Sequence, residues 1–118
     1  MIFGVNDHPQ KIIEGAKTET RRKASAIERY QCGHSYAIQP KRTAKGISRG
    51  RIVILDSWLE AKNEGVISVQ SAKAEGGYTP EEYERLYEKL NPGWSFRAAF
   101  KFAFVPNLCA QTDGSKKQ

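Results

Sequence analysis

Eight consecutive residues, Gly15-Ala16-Lys17-Thr18-Glu19-Thr20-Arg21-Arg22, place an amine, two hydroxyls, a carboxylate and two guanidiniums directly after an apolar helical turn. A lysine just ahead of a threonine brings its amine near a hydroxyl if the chain turns between them. That is one way to activate a weak nucleophile without histidine. Arg21 and Arg22 suit recognition of phosphate or carboxylate. The same cations would also serve a helix C-terminus, where positive charge complements the macrodipole before a strand begins.

Charge points the same way as the arginines. With 19 Lys and Arg against 13 Asp and Glu, the chain carries +6, which favours anionic partners because cations gain by releasing counterions from a phosphate backbone. The cations concentrate between Lys17 and Arg29 and between Lys41 and Arg51. The second stretch, with Gly46 and Gly50, reads equally as a solvated loop or an RNA-contacting loop. Arg51 joins Arg21 and Arg22 as a candidate for holding ribose phosphate or RNA backbone, with an ion-pair role as its alternative. Tyr36 and Trp94 are candidates for stacking on a pyrimidine, with a lid on the core as the preferred reading of Trp94.

Other chemistries find no footing. Cys32 and Cys109 are far apart, without Cys-x-x-Cys spacing, and His8 and His34 are the only histidines. No metal and no cofactor are expected, and the cysteine usage fits a reduced, cytoplasmic setting. The longest apolar runs fall far below the ~20 residues of a membrane span, and the N-terminus lacks signal-peptide organisation, so a soluble protein with no membrane partner is expected. Phosphate-binding glycine loops, nucleophile elbows and glycosidase-like carboxylate pairs are missing.

The elements that must position these groups follow from periodicity. Pro9 to Glu14 is predicted to be a short helix capped by Asp7 and ended by Gly15. Strands are expected at Thr18 to Arg22, Ser35 to Gln39, Arg51 to Leu59 and Phe96 to Val105, the last with Phe100, Phe102 and Phe104 on one face as a core surface. Ser68 caps a helix through Ala74. Thr79-Pro80-Glu81-Glu82 is a capping box, followed at helical spacing by Tyr83, Leu86, Tyr87 and Leu90, read as core packing. Mixed strands and short helices without βαβ alternation give an α+β domain over residues 1–106. Residues 107–118 have the composition of a disordered tail.

Several of these segments, in order, resemble the ASCH domains of the PUA-like superfamily: Gly15-x-Lys17-Thr18-x-Thr20-x-Arg22 after Ile12-Ile13-Glu14, Gly33-x-x-Tyr36, Arg51 to Leu55, Ala72-x-x-Glu75-Gly76, and Leu90-Asn91-Pro92-Gly93-Trp94 before the aromatic run. The resemblance spans roughly residues 3–105. It implies a small β-barrel flanked by short helices, with a cleft beside the first helix and the following strand. It extends to the small bacterial N(4)-acetylcytidine amidohydrolases, which would carry over Lys17, Thr20 and Glu75 as a catalytic set. Thr20 would be the nucleophile or its close partner, Lys17 the proton acceptor and Glu75 the orienting group. Read without it, Glu75 is a surface carboxylate at a helix end, although Gly76-Gly77 beside it favours a close backbone approach.

Two functions therefore stand side by side. One is an ASCH-domain protein gripping RNA or a nucleotide-like ligand in a basic cleft, with a ribonuclease as its variant. The other is an amidohydrolase deacetylating N(4)-acetylcytidine-type nucleosides. For the second, Lys17 must lose its proton more easily than an ordinary lysine. Arg21 and Arg22 push that way and Glu75 pushes back.

Overall fold

The computed structural model describes residues 1, 3, 8–39 and 50–106. Asp7, the basic stretch from Lys41 to Arg49, Cys109 and the expected tail lie outside them. The order is α1 (His8–Ile13), β1 (Glu19–Lys23), a 3-10 segment (Ala24–Glu28), β2 (Ser35–Ala37), β3 (Gly50–Ala61), a 3-10 turn (Lys62–Glu64), α2 (Val69–Ala74), α3 (Pro80–Leu90) and β4 (Phe96–Pro106). This is the α+β class expected from sequence. The 3-10 segment after β1 carries no strong propensity signal and is new.

All four strands form one antiparallel sheet in the order β1-β4-β3-β2. The barrel is a correction: β1 and β2 remain edge strands, and among the described residues nothing closes the sheet. Ile52, Ile54, Ala98, Phe100 and Phe102 share one face, where α1 and the N-terminal residues cover them through Ile12, Met1 and Phe3. Phe100 is wholly buried, and each such side chain contributes ~1.5–3 kcal/mol.

A bulge between Ile54 and Asp56 shifts the β3–β4 register. Before it, Ile52 and Ile54 face Phe104 and Phe102; after it, Trp58 and Glu60 sit opposite Ala99 and Arg97. Those residues belong to the second sheet face, where α2 and α3 pack around Ile67, Ala72, Tyr83 and Tyr87.

Both expected caps form. Ser68 Oγ accepts from Ser71 N, while Thr79 Oγ1 accepts from Glu82 N at 3.2 Å and Glu82 Oε1 accepts from Thr79 N at 2.9 Å. Gly15, at φ +83°, turns the chain out of α1 in a conformation that side chains resist. Ala16 N and Lys17 N then both donate to Lys11 O, so Lys17 is delivered at a fixed point just before β1.

Candidate functional site

A cavity of about 510 Å³ opens along the free edge of β1, between that strand, the C-terminal end of α2 and one side of α3. Its walls are Phe3, His8, Lys17, Thr20, Arg21, Arg22, Lys23, Glu75, Tyr83, Leu86, Tyr87, Leu90 and Asn91. Lys17, Thr20 and Glu75, far apart in sequence, therefore line one space. The α3 stripe has two jobs: Tyr83 and Tyr87 pack against the second cluster and also wall the cavity.

Lys17 is 2% exposed and its three N–H groups are all used. Nζ donates to Glu75 Oε1 at 2.9 Å, Glu75 O at 2.7 Å and Glu19 O at 2.9 Å. Burial pushes the ammonium below its ordinary value, and the Glu75 carboxylate pulls it back up. Three oxygen acceptors suit the charged form, because a neutral amine would turn its lone pair on one of them. Thr20 is buried as well, and its Oγ1 accepts from Arg22 Nε at 3.2 Å.

Glu75 is 1% exposed, not the surface carboxylate that composition favours. Its second oxygen accepts from Arg21 Nη1 at 2.8 Å. The glycine behind it approaches the protein itself: a Cβ on Gly76 would meet His8 Nε2 and the Tyr78 ring at 3.3 Å, and Gly76 O accepts from Lys11 Nζ.

Arg21 is not free to hold RNA. Its guanidinium also donates to Glu19 Oε1 at 2.9 Å and pairs with both oxygens of Glu60, Nε at 3.0 Å and Nη2 at 2.9 Å. Glu60 in turn accepts from Trp58 Nε1 and Arg97 Nε, and Arg97 forms a second two-pronged pair with Glu84 at 2.8 Å. Burial pushes the Glu60 carboxyl up, but Arg21, Trp58 and Arg97 outweigh it and hold it down at about 2. A continuous ion-pair chain thus runs Lys17–Glu75–Arg21–Glu60–Arg97–Glu84.

Arg22, next in sequence, points to the opposite face of β1. Its guanidinium lies 4.8 Å over the Phe3 ring, and among the described residues its one hydrogen bond is the Nε contact to Thr20. Burial pushes it below the ordinary arginine value, yet a guanidinium remains charged.

The remaining sequence candidates lie elsewhere. Arg51 is exposed on β3 and donates to Ser35 Oγ and O of the edge strand β2 at 3.0 Å. Tyr36 packs edge-on to Tyr30, its hydroxyl accepting from Gln31 N. The Arg97 guanidinium lies 4.4 Å over the Trp94 ring, which meets Tyr87 edge-on at 5.2 Å. The network residues that the sequence left unmarked are Glu19, Glu60, Glu84 and Arg97. One signal was available for Arg97, a cation directly before the apolar run Ala98-Ala99-Phe100.

Solved structures of this fold carry a family name. An ASCH domain from Lactobacillus crispatus superposes with a TM-score of 0.68 at 15% identity, covering 86% of this chain and 72% of that one. A mutant form of an ASCH protein from Zymomonas mobilis gives 0.60 at 16% identity, over 99% of this chain and 79% of that one. A DUF984 protein from Enterococcus faecalis gives 0.58 at 20% identity, over 83% and 69%. The fold is that of an ASCH domain. No protein-family model and no curated protein matches the chain, so likeness at these identities concerns ASCH architecture alone. Among the described residues, no helix of this ASCH fold is long and apolar enough to cross a membrane.

Proposed function

We propose that this chain binds a nucleoside-like ligand, free or presented by RNA, in the cavity between β1 and α3. The observation that carries the reading is the cavity's chemistry: aromatic walls from Tyr83, Tyr87 and Phe3, with Arg22 beside them, whose guanidinium makes no ion pair among the described residues. Its volume of about 510 Å³ suits a single small molecule. A long phosphate-tracking groove is less favoured, because Arg21 is spent on carboxylates and Arg51, on β3, is turned to Ser35 of the opposite edge strand. Titration with nucleosides, nucleoside monophosphates and labelled RNA at two salt concentrations tests it. Saturable nucleoside binding with weak salt dependence is expected. Steep salt dependence with no nucleoside binding overturns it.

A second reading, amide hydrolysis, is favoured by the meeting of Lys17, Thr20 and Glu75 on one cavity wall. Thr20 Oγ would attack an acyl carbonyl carbon such as that of N(4)-acetylcytidine. Lys17, having first lost a proton to solvent and turned its lone pair toward the hydroxyl, would take the hydroxyl proton, and Glu75 would keep its amine in place. The proton would pass to the departing amine, and water would then release the acyl group from Thr20. Incubation with N(4)-acetylcytidine decides it: release of acetate and cytidine supports the reading, and their absence at high enzyme concentration removes it.

A further inference from the structure

The main chain of β1 supplies a recognition element that no side chain carries. Phe102 N donates to Thr18 O at 2.9 Å, and these two residues are opposite partners in the register that pairs Glu19 with Lys101 and Thr20 with Phe100. Hydrogen-bonded and non-hydrogen-bonded pairs alternate along an antiparallel ladder. Thr20 and Arg22 therefore spend their N–H and C=O groups on β4, while those of Glu19, Arg21 and Lys23 point away from the sheet. One fact confirms the phase: Lys17 Nζ reaches Glu19 O at 2.9 Å from the free side.

That contact also ends the edge. With Glu19 O taken by Lys17, and Lys23 O turned into the 3-10 segment that it caps, the open main chain shrinks to Arg21 and the N–H of Lys23. Two outward residues are too few to template a peptide strand. The N–H and C=O of one extended residue, however, point the same way and match a flat ring edge that carries an acceptor next to a donor.

We infer that the main-chain N–H and C=O of Arg21 read the pairing edge of a nucleobase, whose faces lie toward Tyr83 and Tyr87. This rests on the nucleoside reading above and narrows it to rings with a neighbouring acceptor and donor, such as N3 and N4–H of cytosine or O4 and N3–H of uracil. Purely phosphate or carboxylate ligands lack that pattern. β1 is held in place by the Arg21 guanidinium, which pairs with Glu60 and Glu75 on the second sheet face.

The test is an amide-resolved NMR titration of the full chain with cytidine, uridine and N3-methyluridine. The expected result is a saturable shift of the Arg21 amide with cytidine or uridine, and at least a tenfold weaker affinity after N3 methylation, which blocks the ring edge. Equal affinity for the methylated nucleoside overturns the inference, as does binding that moves Tyr83, Tyr87 and Arg22 signals but not the Arg21 amide. In those cases the nucleoside reading survives alone. If none of the nucleosides perturbs any cavity residue, both fall. An extended peptide that shifts the Arg21 and Lys23 amides when nucleosides do not would make the edge a strand-binding site and also overturn it.

Discussion

Arg21 Nη1 meets Glu75 Oε2 at 2.8 Å while Lys17 Nζ meets Glu75 Oε1 at 2.9 Å. The carboxylate is gripped from both oxygens, so its plane is fixed. A group held this way is suited to orienting a neighbour. Arg21 can grip so firmly because Glu60 occupies its other edge through a two-pronged pair.

Adjacent arginines should therefore behave oppositely. Arg21→Ala takes away the cation shared by Glu19, Glu60 and Glu75, leaving buried Glu75 to Lys17 alone and Glu60 to Arg97 and Trp58, and is expected to cost about 3 kcal/mol. Arg22→Ala loses a contact over Phe3 and should cost about 1 kcal/mol, but weaken binding of an anionic or nucleotide ligand. Urea denaturation and ligand titration of both variants check the contrast.

Acid should unfold the protein over a defined window. The Glu60 carboxyl sits at about 2 in the folded chain against an ordinary 4.5. Its stabilising contribution is complete above 4.5 and is lost as pH falls from there toward 2. Thermal melts between pH 2 and 6 should show this decline, and Glu60→Gln should lower the melting temperature near neutrality while flattening the pH dependence.

The α3 cap gives a milder effect. Thr79→Ala removes the acceptor for Glu82 N and should lower stability by about 1 kcal/mol, read as a shifted denaturation midpoint with unchanged slope.

If the cavity hydrolyses amides, Lys17 must work as a neutral amine. The rate should then rise with pH, with a midpoint below the ordinary 10.5 because burial disfavours the charge. Lys17→Arg should abolish turnover, since a guanidinium does not give up its proton. Glu75→Gln should reduce it by disturbing the amine's seat. Steady-state kinetics across pH on N(4)-acetylcytidine provide the measurement.

Local signals in the sequence were reliable where a single segment decides the outcome. The Thr79 capping box, the Ser68 cap, Gly15 as a helix stop and the alternating Phe100, Phe102 and Phe104 need no distant partner. What periodicity missed is what only tertiary structure creates. Arg21 looked available for phosphate because its carboxylate partners Glu60 and Glu75 stand 39 and 54 residues further along the chain. Tyr83 and Tyr87 read as core because a helical stripe does not tell whether its outer rim meets a neighbour or a void. The edge groups of β1 carry no side-chain signature at all.

The bulge at Leu55 acts as a parity switch for the chain. Even-numbered residues of β3 belong to the apolar face at Ile52 and Ile54, and to the ion-pair face at Trp58 and Glu60. Deleting that one exposed residue would leave strand length and composition almost untouched. It would nonetheless rotate Glu60 away from Arg21 and Arg97. The grip on Glu75 is thus set by counting residues more than 15 positions away, and a one-residue deletion there should disarm the cavity without altering any group that lines it.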